Sequence, residues 1–113
     1  MNVIEQKLGQ VADLCRQYHV QRLALFGSAL RDGFEEQSDL DFLVEFEAVP
    51  SGTYADTYFG LKESLEQLFQ RSVDLVVESA IRNPYFRQSI ERSKALLFSV
   101  KEATRMVTLP NAL

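Results

Sequence analysis

The chain has one cysteine and one histidine among its 113 residues. A lone thiol has no internal partner for a disulfide, which points to the cytoplasm as the compartment. A lone imidazole excludes a histidine-based zinc cluster and a Ser-His-Asp arrangement. His19 reads instead as a surface or capping residue at the end of the first helix, and Cys15 as core. No apolar run approaches the ~20 residues that span a bilayer, and the N-terminus opens on a polar, periodic helix rather than a signal peptide. There is no internal repeat and no linker-like stretch, so residues 1–113 read as one domain. The formal net charge of −4 argues against a broad duplex-binding surface. Neither a membrane nor a direct nucleic-acid partner is expected.

What is present fits a soluble globular chain with a single core: 46% hydrophobic and 25% charged residues. The charge is unevenly spread. Glu35, Glu36, Asp39, Asp41, Glu45 and Glu47 follow one another with no Lys or Arg between them. From Arg71 to Arg105 seven basic residues stand against four acidic ones. The middle of the chain suits cations, and the last third suits anions or an acidic partner.

Periodicity predicts an amphipathic helix over Asn2–Tyr18, with Ile4, Leu8, Val11, Cys15 and Tyr18 on its apolar stripe and Asn2 with Glu5 as a capping box. Arg22–Phe26 reads as a buried strand, stopped by Gly27-Ser28. A single helical turn over Ser28–Asp32 and an acidic loop over Gly33–Gln37 follow. Ser38–Phe46 is a second strand with Leu40, Phe42, Val44 and Phe46 on one face. Thr53, with Asp56 three residues on, starts a long helix carrying Tyr54, Tyr58, Leu61, Leu65 and Leu68. Ser72–Val77 is a third strand. Asn83-Pro84 starts a third helix, Asn as cap and Pro in the first position, with Phe86 and Ile90 on its buried side. Ala95–Ser99 is an edge strand, and the tail from Lys101 shows no pattern. The fold class is α+β, with a mixed rather than all-parallel sheet.

In Asp39-Leu40-Asp41, strand alternation points both carboxylates one way, their Cα atoms roughly 6.5 to 7 Å apart. Asp74 interrupts the apolar third strand, where a carboxylate needs compensation. If the second and third strands are neighbours, roughly 4.8 Å apart, Asp74 faces Asp39 and Asp41. Clustered carboxylates repel, and a divalent ion resolves the repulsion. An oxygen-only set favours Mg²⁺ or Mn²⁺ over zinc. Gly27 lets backbone approach a ligand, and the turn after it presents free N–H groups to phosphate, aided by the Ser28 hydroxyl and the Arg31 charge. The bland readings are that Asp39 and Asp41 are loop or edge residues, that Asp74 is a strand-end polar group, and that Gly27-Ser28 is only a turn. Tyr54 and Tyr58 read as packing. Arg82, Arg87, Arg92 and Lys94 read as a solvated helix face or a partner surface, and Tyr85 and Phe86 as core or interface.

Gly27-Ser28, ten residues, then Asp39-Leu40-Asp41 resembles the signature of the DNA polymerase beta-like nucleotidyltransferases. S-V-D-L-V supplies a third carboxylate, Asp74. Over roughly residues 20–98 the chain is similar to the minimal nucleotidyltransferases, the MNT antitoxins encoded beside HEPN toxins. G-S-A-L-R-D-G resembles their G-S-x-A-R-G with Leu30 at the usual Ala and one extra residue before the glycine. The resemblance implies a polymerase beta-like palm and a pair of Mg²⁺ ions held by Asp39, Asp41 and Asp74. It implies ATP as co-substrate, with Gly27, Ser28, Arg31 and Ser38 binding the nucleotide and Asp74 helping to activate the acceptor hydroxyl. AMP would pass to a tyrosine of a HEPN toxin near its RNase site, with loss of pyrophosphate. Two other functions stay open: a small-molecule nucleotidyltransferase of the aminoglycoside-modifying kind, and an antitoxin that acts by binding alone.

Overall fold

The computed structural model describes residues 3–27 and 39–100. The first helix is interrupted. Helix α1 covers Val3–Gln6 and α2 covers Leu8–Gln17, with Lys7 at the break in a non-helical conformation. The Lys7 ammonium reaches across the fold to donate to the Leu68 carbonyl at 2.6 Å and lies 5.9 Å from the centre of the Phe69 ring. The stripe of Ile4, Val11 and Cys15 is buried, whereas Leu8, just past the break, is exposed. Asn2 of the expected capping box lies outside the described residues. The helix ends at Tyr18, and His19 takes the left-handed conformation (φ 58°) that turns the chain into the sheet.

Strands β1 (Val20–Phe26), β2 (Leu40–Phe46), β3 (Val73–Val77) and β4 (Ala95–Ser99) form one sheet in the order β3-β2-β1-β4. β1 runs antiparallel to β2 and β4, and β2 runs parallel to β3. The sheet is therefore mixed, as expected. The parallel pair requires a crossover, which helix α3 (Tyr54–Phe69) supplies. The first three strands begin one or two residues away from the positions predicted, a displacement typical of boundaries read without pairing partners.

Alternation along the strands divides the interior in two. Leu23 and Leu25 of β1 join Leu40, Phe42, Val44, Val73 and Leu75 under α2 and α3. The opposite face carries a smaller cluster of Ala24, Phe26, Leu43 and Ile90, with Val76 and Ile81 against it. Ile90 belongs to helix α4 (Pro84–Ser93), which covers that second face. The sheet is thus apolar on both sides along its two central strands.

Local chemistry explains the helix ends unequally. Asn83 caps α4 as expected: its side-chain oxygen accepts from the Tyr85 and Phe86 amides at 2.9 and 3.2 Å. Thr53 does precede α3, but its hydroxyl turns back to the Pro50 carbonyl at 2.7 Å instead of capping the helix. The buried face of α3 is Thr57, Leu61, Leu65 and Phe69. Tyr54 is exposed, and Tyr58 spends its hydroxyl on the Leu75 carbonyl at 2.5 Å. Phe86 is 43% exposed and only partly meets the expectation of a buried position.

Candidate active site

The site grows from one line of register. Asp41 of β2 pairs with Asp74 of β3 on one side, and with Phe26 of β1 on the other. Parallel neighbours in register present their side chains to the same face about 4.8 Å apart. That face is the one carrying Leu43 and Val76, the α4 side of the sheet. Asp39 precedes β2 by one residue and, by alternation, points to the same face. Asp39 and Asp74 are exposed and Asp41 is half-buried. Asp74 is not the costly buried carboxylate that its place in an apolar strand suggested. β3 is the edge of the sheet, and Asp74 faces solvent while its neighbours Val73 and Leu75 point into the core.

Burial pushes the Asp41 carboxyl above its ordinary range, and the charges of Asp74 and then Asp39 push it further in the same direction. The three carboxylates are therefore close enough to repel. Among the described residues, no group of three His, Cys, Asp or Glu side chains is already closed around a metal-sized point. The donor set is all carboxylate oxygen, which suits a hard divalent cation, and the repulsion at Asp41 is the electrostatic condition that such a cation relieves.

Gly27 closes the site on the β1 side. It follows Phe26 directly and takes φ +84°, a region that side chains rarely adopt. A Cβ at this position would overlap the Asp41 Oδ2 atom. Glycine is needed on two independent grounds, backbone conformation and the space the carboxylate occupies. Ser28, Arg31 and Ser38 lie outside the described residues, as do the predicted turn Ser28–Asp32 and the acidic loop Gly33–Gln37.

The basic side chains around α4 and the strand ends separate into different roles. Arg22 pairs with Glu78, and Lys94 approaches Glu78 at 3.9 Å and Glu91 at 2.9 Å. The Arg22 pairing, which ties β1 to the turn after β3, had no signal in the sequence because the partners are 56 residues apart. Arg87 donates to the Glu78 and Ile81 carbonyls at 3.2 and 2.8 Å. Arg92 instead lines a cleft of about 570 Å³ between α4 and the end of β1, together with Phe26, Gly27, Phe86 and Ser89. The helix-face reading left this cleft unseen, since it exists only once α4 is laid across the sheet.

A mixed sheet with paired carboxylates on adjacent strands and a strand-end glycine pressed against one of them is the architecture of a nucleotidyl-transferring domain. The sequence profile described as "Nucleotidyltransferase domain" matches residues 8–97. A Methanocaldococcus jannaschii protein provisionally named protein adenylyltransferase MJ0128 is 42% identical over 78 residues, covering 69% of this chain and 76% of that protein. A solved structure provisionally described as a minimal nucleotidyltransferase superposes with a TM-score of 0.67 at 33% identity, over 81% of this chain and 90% of its own. The chain belongs to the nucleotidyltransferase family, among its minimal members. A further solved structure, of a tri-AMPylated Shewanella oneidensis HEPN toxin in complex with an MNT antitoxin, shares the fold, with a TM-score of 0.59 at 17% identity over 90% of this chain and 77% of its own.

Proposed function

We infer that this chain is the antitoxin of a HEPN/MNT pair and works by transferring AMP from ATP to a tyrosine hydroxyl of its toxin, in the cytoplasm. The observation that carries the reading is the register of Asp41 with Asp74 beside the side-chain-free Gly27. It joins carboxylates for a divalent ion to an open backbone for phosphate. The likeness to a protein adenylyltransferase and the fold shared with an MNT antitoxin support the choice of acceptor. Among the described residues, no helix is long and apolar enough to cross a membrane.

Asp39, Asp41 and Asp74 would hold Mg²⁺, which when bound supplies positive charge against the triphosphate and favours the ionised acceptor oxygen. The chain's own groups do the rest. Gly27 admits phosphate oxygens close to the backbone at the end of β1, and Ser28, Ser38 and Arg31 add a hydroxyl, a second hydroxyl and a positive charge around them. Asp74, exposed on the edge strand, is reached by a hydroxyl arriving from another protein and takes its proton. The acceptor oxygen then bonds to the α-phosphorus, the bond from that phosphorus to the bridging oxygen breaks, and pyrophosphate leaves with the electron pair. The exposure of Asp74 on an edge strand favours a protein-borne acceptor over a small molecule, because among the described residues that side of the sheet is open.

The test mixes the chain with ATP, Mg²⁺ and a HEPN protein from the same genome, and reads the mass of that protein. A gain of AMP with wild type and none with the Asp39→Asn, Asp41→Asn double variant is expected. Protection of cells by the double variant at the wild-type level would instead establish an antitoxin that acts by binding. A mass gain on an aminoglycoside with the toxin unmodified would establish the small-molecule reading.

A further inference from the structure

The cleft under α4 lies on the other side of Gly27 from the carboxylates. Sheet order decides this: Asp74 and Asp41 sit on β3 and β2, Gly27 ends β1, and the cleft lies between that strand end and α4, with no residue of β2 or β3 in its lining. A linear triphosphate with its α-phosphorus at the carboxylates and its chain passing Gly27 therefore arrives with its far end at the cleft mouth. The cleft is held open by two contacts. Phe86 meets Phe26 edge-on, ring centres 6.2 Å apart and planes at 74°, which stands the first turn of α4 off the strand end. Ile90, buried in the second cluster, fixes the middle of the helix.

Ser89 and Arg92 are three residues apart on α4, hence on one helix face, and both line this cleft. Arg87 and Lys94 are engaged by carbonyls and carboxylates. Arg92 is exposed and has no ion-pair or hydrogen-bond partner among the described residues. Among the described residues Arg92 is the one charged side chain in the cleft lining, which holds no carboxylate, so the cleft presents a guanidinium suited to an anion. We propose that Arg92, with the Ser89 hydroxyl beside it, receives the pyrophosphate end of the donor nucleotide in the cleft beyond Gly27. The proposal rests on the nucleotide-transfer reading above. The negative charge that builds on the bridging oxygen as its bond to the α-phosphorus breaks leaves with the pyrophosphate, and a cation on that side offsets it. Arg92 is then a second positive pole, opposite the metal-binding carboxylates, that also sets the direction in which the nucleotide lies.

Calorimetric titration with pyrophosphate, ATP and AMP, in Mg²⁺ and without an acceptor protein, tests this. Arg92→Ala is expected to weaken pyrophosphate and ATP binding about tenfold or more while leaving AMP binding unchanged. Arg92→Lys is expected to recover part of the loss, and Arg82→Ala, which removes an exposed cation outside the cleft, to change nothing. An unchanged melting temperature checks that the fold is intact. ATP binding that Arg92→Ala leaves at the wild-type level, or AMP binding that falls equally, overturns the role of Arg92 alone. A wild-type chain that binds neither ATP nor pyrophosphate overturns both this proposal and the reading beneath it.

Discussion

Asp41 stands where the side chain of residue 27 would be. The carboxylate occupies the space that an alanine methyl at Gly27 would need, and Gly27 takes a positive φ to leave it free. The strand-end glycine and the central carboxylate are one unit, joined by the pairing of Phe26 with Asp41. Gly27→Ala is expected to displace the carboxylate and strain the backbone together. It should destabilise the fold by about 1 to 3 kcal/mol and cut AMP transfer by roughly a hundredfold, because misplacing a group by an ångström costs about that much. Thermal melts and the toxin mass assay measure the two effects separately.

Asp41 opposes folding while serving the site. Its carboxyl titrates above the ordinary range because of burial, then Asp74, then Asp39. A carboxyl raised in the folded state binds more protons there than in the unfolded chain, so stability falls as pH rises from the ordinary carboxylate value through the raised one. Asp41→Asn is expected to remove this fall and raise the melting temperature at neutral pH by less than about 5 °C, the gain being limited by solvent screening. The same change should abolish transfer. Mg²⁺ should raise the melting temperature of wild type and not of the variant.

Glu66 has the opposite sign. Its carboxylate accepts from the Val73 amide at 3.1 Å and from Lys62 at 3.1 Å, and the amide first, then Lys62, hold it below the ordinary value of 4.5. The stability it contributes is present above that value and is lost as pH falls through the lowered one. Glu66→Gln should flatten this part of the acid limb in urea midpoints measured from pH 6 down to about pH 3, with AMP transfer at neutral pH unchanged.

Gly60 is where α3 passes the end of α2. A Cβ there would lie 2.5 Å from the Tyr18 ring, whose hydroxyl also accepts from Ser64 at 3.2 Å. Gly60→Ala should therefore destabilise by about 1 to 3 kcal/mol, against the gain of a few tenths to one that alanine brings to an open helix position. Gly9→Ala, with nothing within 4 Å, supplies the contrast and is expected to stabilise. Chemical denaturation of both variants checks the pair.

The sequence by itself carried the elements whose causes are local. Asn83-Pro84 announced α4 because a side-chain oxygen and a missing N–H act within one turn. The alternation of Leu40, Phe42, Val44 and Phe46 fixed one face of β2 for the same kind of reason, since all four side chains are buried. It also carried the spacing of Gly27, Asp39, Asp41 and Asp74, on which the resemblance to nucleotidyltransferases rests. Sheet order was decided only in three dimensions, because pairing depends on residues far apart in the chain. That order made β3 an edge and Asp74 exposed. The structure also shows the first helix broken at Lys7, whose ammonium donates to the Leu68 carbonyl, and sets Arg92 apart from the other cations of its helix in the lining of a cleft. Between Gly27 and Asp41, local sequence specified a glycine and a carboxylate, and strand pairing brought the one into the space the other leaves empty.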